Sequence, residues 1–115
     1  MTKTDILTVN PQELARAWNE TLPLLLGPSD KATVVADERD ANVLRIHIDT
    51  AGRSMYSFDF KCTYVDSREV KVEIVDAERG HDQADETREI IQSLIEDYVR
   101  HIHECAQRLK GLTNA

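Results

Sequence analysis

Through the middle of the chain, apolar and polar residues change places at every second position. In Val43–Asp49, Leu44, Ile46 and Ile48 alternate with Arg45, His47 and Asp49. From Met55 to Tyr64, Tyr56, Phe58, Phe60, Cys62 and Tyr64 are set against Ser57, Asp59, Lys61 and Thr63. Val70, Val72 and Ile74 then oppose Glu69, Lys71 and Glu73, and Thr33–Ala36 adds a shorter apolar run. A period of two belongs to a half-buried strand, because successive side chains leave a strand on opposite sides. The breaks at Asp37–Asn42, Thr50–Arg53 and Asp66–Arg68 are short and polar, which makes sequential strands antiparallel. The pattern predicts a four-stranded antiparallel meander over residues 31–76 with one face covered.

Helical spacing flanks the sheet. Asn10 suits an N-cap, Pro11 the first helical position and Glu13 the third, as in a capping box. Leu14, Ala17, Trp18, Thr21, Leu22 and Leu25 follow at helical intervals, so a helix is expected over 10–26. Pro23 should kink or end it near Leu22, since proline cannot donate to the carbonyl of Asn19. Residues 1–9 read as an extended arm that could pair through Ile6, Leu7 and Val9. After a charged linker, in which Asp82 or Asp85 can cap, Ile91, Ile95, Tyr98, Ile102, Cys105, Leu109 and Leu112 recur at alternating intervals of four and three. That row predicts one long helix over 82–112. The expected fold is therefore α+β in a single domain, with both helices on one face of the meander.

Length turns this into an argument about assembly. A helix over 84–112 spans about 43 Å, whereas an eight-residue strand spans about 27 Å. The excess should carry apolar side chains past the sheet. A homodimer seam of Tyr98, Ile102, Cys105, Leu109 and Leu112 is expected from this, with cover by Trp18, Leu22 and Leu25 of the same chain as the alternative. Leu22, Leu24 and Leu26 belong to a leucine cluster that exceeds one amphipathic stripe; core filling accounts for it, and a knob for a protein partner is the functional alternative.

The 115 residues carry a net charge of −7, which disfavours extended phosphate-backbone contact and anionic membranes. The longest apolar run is far short of a membrane span, and Met1–Asp5 lacks the basic start of a signal peptide. A cytoplasmic protein with reduced cysteines is expected. Cys62 and Cys105 both fall on inward faces and read as small hydrophobes. His101 and Cys105 lie one turn apart with Asp97 a turn earlier, but His103 points elsewhere and His47 and His81 lie on other elements, so no metal site is expected. No phosphate-cradling, dinucleotide, zinc-protease or nucleophile-elbow spacing occurs, and neither a catalytic residue nor a cofactor is expected.

The polar sheet face is the other candidate partner surface, with Arg45, His47, Asp59 and Lys61 at its centre. Asp49 with Asp59, or Asp59 with Glu73, could pair as acid and base. Cross-strand pairing of Lys61 with Glu69 or Glu73 accounts for the same residues as surface stabilisation. Tyr56, Tyr64, Tyr98 and Trp18 could line a small-molecule pocket between sheet and helices.

The order helix, meander, long helix resembles, in architecture, the YbaB-type nucleoid-associated proteins, small acidic dimers that bind DNA. That resemblance implies a DNA-associated dimer, although the first helix here holds Pro11 and Trp18 and is not long and charged; separately, a dimer would bring Arg100, Arg108 and Lys110 together with their symmetry mates. Acidic secretion chaperones also combine a sheet with dimerising helices, but place a helix between strands. The sequence reading is a non-enzymatic interaction or regulatory module that forms a homodimer and meets an unidentified protein. Nucleic acid and a small molecule are the alternatives.

Overall fold

In a computed structural model, residues 7, 9–27, 30–50, 56–79 and 87–113 are described. The elements follow as α1 (Pro11–Leu25), β1 (Lys31–Ala36), β2 (Val43–Asp49), β3 (Tyr56–Tyr64), β4 (Val70–Arg79), α2 (Thr87–Arg108) and a last turn, α3 (Lys110–Thr113). The four strands form one antiparallel sheet in the order β1-β2-β3-β4. The α+β meander expected from the alternation is the fold observed. The 50–55 turn, apart from Thr50, and residues 80–86, with the linker's caps and His81, lie outside the described residues, as does Ile6 of the arm, whereas residues 77–79, expected in the linker, belong to β4. Leu7 and Val9 pack against the core.

Each element forms for a local reason. Asn10 caps α1 by accepting the N–H groups of Gln12 and Glu13 at 2.9 and 3.2 Å, which relieves two orphan donors of the first turn. α1 does not stop at Leu22, because Pro23 sits in the final turn, where its missing N–H costs a single bond. The helix runs to Leu25, and the Leu26 N–H closes on the Pro23 carbonyl at 3.4 Å. In the first hairpin, the Asp37 carboxylate accepts the N–H groups of Arg39 and Asp40, both at 3.0 Å.

The inward face of the sheet is the one the alternation marks: Leu44, Ile46, Ile48, Tyr56, Phe58, Phe60, Cys62 and Tyr64 are all buried. α1 lies over β1 and α2 over β4, and both pack on this face. Leu14, Trp18 and Leu22 come from α1, and Tyr98, Ile102, Cys105 and Ala106 from α2. Tyr98 packs on Phe58 and Phe60 with ring centroids 5.5 and 6.5 Å away. The Trp18 indole stands edge-on to Tyr64 and donates to its hydroxyl at 3.2 Å, so a polar group enters the core already paired. Trp18, Tyr56, Tyr64 and Tyr98 are all buried, at most 3% exposed.

β4 departs from simple alternation. Phe60 pairs with Ile74 while Asp59 pairs with Asp76, so Val75 is an extra residue, a β-bulge. Ile74, expected inside, is 41% exposed, and the strand continues to Arg79 instead of ending at 76. Beyond Leu109 the chain makes one more turn, fastened where the Thr113 hydroxyl donates to the Ser67 carbonyl at 2.7 Å.

Candidate functional site

The outer face of the sheet carries rows of residues that the strand register aligns. Thr33, His47, Asp59 and Asp76 are consecutive partners across all four strands, and Val35, Arg45, Lys61 and Glu73 form the adjacent row. No described helix packs on this side.

His47 is the hub. Its Nδ1 lies 2.7 Å from Asp59 Oδ1, directly across on β3, and its Nε2 lies 3.0 Å from Asp49 Oδ1, two residues on along β2. The Ser57 hydroxyl donates to the same Asp49 oxygen at 2.7 Å. Hydrogen bonding to Asp59 is the main reason the imidazole is held above its ordinary value of 6.5, with the charge of Asp49 adding to it against partial burial. Asp49 is held below the usual carboxylate range, first by the Ser57 hydroxyl and then by His47. With both ring nitrogens donating to carboxylates, the imidazolium is the form this arrangement favours.

This geometry binds and orients charge but does not activate a nucleophile. In a serine triad the hydroxyl donates to imidazole; here Ser57 donates to a carboxylate, and His47 has no free nitrogen to act as base. Asp49 and Asp59, considered above as an acid–base pair, are bridged by the histidine between them. Asp59 and Glu73 are not partners: Asp59 faces Asp76, and Glu73 faces Lys61.

Around this hub lies a shallow depression of about 400 Å³ lined by Thr33, Val35, Arg45, His47, Asp59, Val75 and Asp76, with the Ile46 and Phe60 positions as its floor. Val35 and Val75 are each more than half exposed and stand on opposite sides of it. The bulge turns Val75 to this face. Arg45 is pinned at the rim by Asp37, Nε to Oδ1 at 2.9 Å.

The other expected sites are rearranged. Tyr98, Ile102 and Cys105 are at most 3% exposed and Leu109 packs against the core, so their apolar surface is already covered within one chain. Only Leu112 of that set is exposed. The physical reason is that α2 passes its C-terminal half over the sheet, so its apolar excess falls in the first turns instead: Ile90 is exposed, and Ile91, Leu94 and Ile95 are half-buried. The leucine knob is also reduced. Leu22 and Leu26 are core residues and Leu24 alone protrudes, which a single surface leucine does without any partner. Asp97 turns to Arg100 at 3.0 Å while Cys105 faces the core, and no cluster of three potential metal ligands occurs among the described residues. Cys62 and Cys105 are free, buried thiols pushed up to about 12 by burial, and so are poor nucleophiles.

One feature of the α1–β1 junction was not legible from sequence. Asn19 lies against the outer edge of β1, where its Nδ2 donates to the Val34 carbonyl at 2.6 Å and its Oδ1 accepts the Val34 N–H at 2.7 Å. The side-chain amide does what a neighbouring strand would do. No pattern in sequence separates such an asparagine from one on a solvated helix face.

Among the described residues no helix is long and apolar enough to cross a membrane. Comparison with protein-family models, curated proteins and solved structures finds no match to this chain.

Proposed function

We propose that this chain is a non-enzymatic protein-interaction or regulatory module of the cytoplasm, and that it meets its partner through the outer face of the sheet. The observation that carries this reading is the pair of exposed valines, Val35 and Val75, on either side of a half-buried His47–Asp59 row. Apolar side chains flanking a small, internally satisfied polar centre provide contact area with little polar desolvation left uncompensated. The lack of a base for Ser57 and of a reactive thiol supports a binding role over a catalytic one. A nucleic-acid partner fits this surface less well, because carboxylates stand beside its cations: Arg45 pairs with Asp37 and Lys71 with Glu73 at 4.0 Å, while Lys31 and Lys61 have Asp49 and Glu73 as their register partners.

A photo-crosslinking amino acid at Thr63 on this face, in cells, tests the reading. It should give a discrete protein adduct that Val35→Asp removes while far-UV circular dichroism is unchanged. The reading is overturned if that adduct survives Val35→Asp, or if the same label at Glu20 on α1 gives the same products.

A further inference from the structure

The two edges of the sheet are treated differently, and the difference points to a second copy of this chain. At β1 the outward backbone groups of Val34 are occupied by Asn19. At β4 the described residues supply no such cap. The Val65 N–H donates to the Glu69 carbonyl at 2.9 Å, and Val65 and Glu69 continue the register in which Tyr64 faces Val70. In an antiparallel ladder hydrogen-bonded and non-hydrogen-bonded pairs alternate. Glu69, Lys71 and Glu73 therefore turn their N–H and C=O groups to β3, and Val70, Val72 and Ile74 turn theirs outward. The bulge at Val75 ends this regular run at Ile74.

The five residues of the run are self-complementary. Laid antiparallel against itself about Val72, the segment places Val72 opposite Val72 of the second copy, and Val70 opposite Ile74 twice. All of these pairs fall at positions whose backbone groups face outward, so each can exchange two hydrogen bonds. On the outer face the same register sets Lys71 opposite Glu73 twice. Any shift by two residues breaks this charge match, and a shift by one leaves outward groups facing inward ones. Charged residues on an edge strand ordinarily discourage pairing; here their order favours one antiparallel partner, this chain itself.

We infer that β4 is a homodimerisation edge, joining two copies about a two-fold axis through Val72 into one eight-stranded sheet. The axis is perpendicular to the sheet, so both inner faces lie on one side, with the α2 helices antiparallel across it. Five paired residues bury too little for a stable dimer. The exposed Ile74 and Ile90, with half-buried Ile91, Leu94 and Ile95, supply apolar area on that side. The outer face remains open and becomes continuous over both copies, so this inference stands apart from the identity of any other partner.

Light scattering after size exclusion of the full chain, over a range of concentrations, reads the assembly directly. The wild type should elute at twice 13.1 kDa. Lys71→Glu and Glu73→Lys each set like charges opposite one another twice, and each should weaken the dimer about tenfold or more. Mixed in equal amounts, they should recover it as a heterodimer. Val72→Pro removes a donor that the isolated fold does not use and should give a folded monomer, since edge strands tolerate proline. A wild type that stays monomeric at hundreds of micromolar overturns the inference. So does a dimer indifferent to all three variants, or single charge variants that mixing fails to rescue.

Discussion

Replacing Asn19 by alanine removes the side chain that caps Val34 on the β1 edge. Two inter-element hydrogen bonds are lost, at 2.6 and 2.7 Å, whereas the third contact, to the Ala15 carbonyl at 2.9 Å, duplicates a helical acceptor. At about 1 kcal/mol for each inter-element bond the loss is about 2 kcal/mol. Alanine's better helix propensity returns about 0.6 kcal/mol, leaving a net destabilisation of about 1.5 kcal/mol. For a chain of 115 residues that lowers Tm by about 6 °C. Thermal unfolding followed by far-UV circular dichroism, with the single tryptophan, Trp18, as a second probe, measures it. Asn19→Asp gives an internal control. Its carboxylate still accepts the Val34 N–H but opposes the Val34 carbonyl, so at pH 7 it should be less stable than Asn19→Ala. The carboxylate is disfavoured there and its folded-state pKa is raised, so the deficit should close as pH falls towards about 4 and a proton restores the donor. An Asn19→Ala midpoint within about 1 °C of wild type would refute the reasoning, because water would then pair Val34 as well as the amide does.

Three further outcomes follow from the same geometry. Tyr64→Phe leaves the buried Trp18 N–H without an acceptor and should cost about 1–3 kcal/mol in urea unfolding; a cost below about 0.5 kcal/mol would mean that the indole finds another partner. His47 should titrate above 6.5 by NMR. Because its folded-state pKa is raised, the stability it contributes is fully present below about 6.5 and lost as pH rises through the folded value. A stability gap between wild type and His47→Gln should therefore narrow on the alkaline side, and a gap that widens there contradicts the bridge to Asp49 and Asp59. Cys62 and Cys105 should resist a thiol reagent at pH 8 in the folded protein and react together on unfolding; rapid labelling of either in native buffer would show that the packing of β3 against α2 opens locally.

What the sequence by itself determined is what short-range periodicity can encode. The alternation through Val43–Tyr64 places Leu44 to Ile48 and Tyr56 to Tyr64 on the buried face, and Asn10-Pro11 sets the start of α1, because both depend only on neighbouring positions. His47, Asp49, Ser57 and Asp59 share an outer face for the same reason, but their joining into one hydrogen-bonded chain depends on register. A one-residue slip would have separated His47 from Asp59. Tertiary structure alone decided where α2 crosses the sheet. An amphipathic row states which side of a helix is buried but not which end overhangs, so Tyr98, Ile102 and Cys105 became core and the exposed apolar residue moved to Ile90. The bulge at Val75 and the Asn19 clasp on β1 were also beyond periodicity. Each is a contact between segments that meet only after the chain has folded, and only the packing of those segments fixes which backbone groups are left to be satisfied.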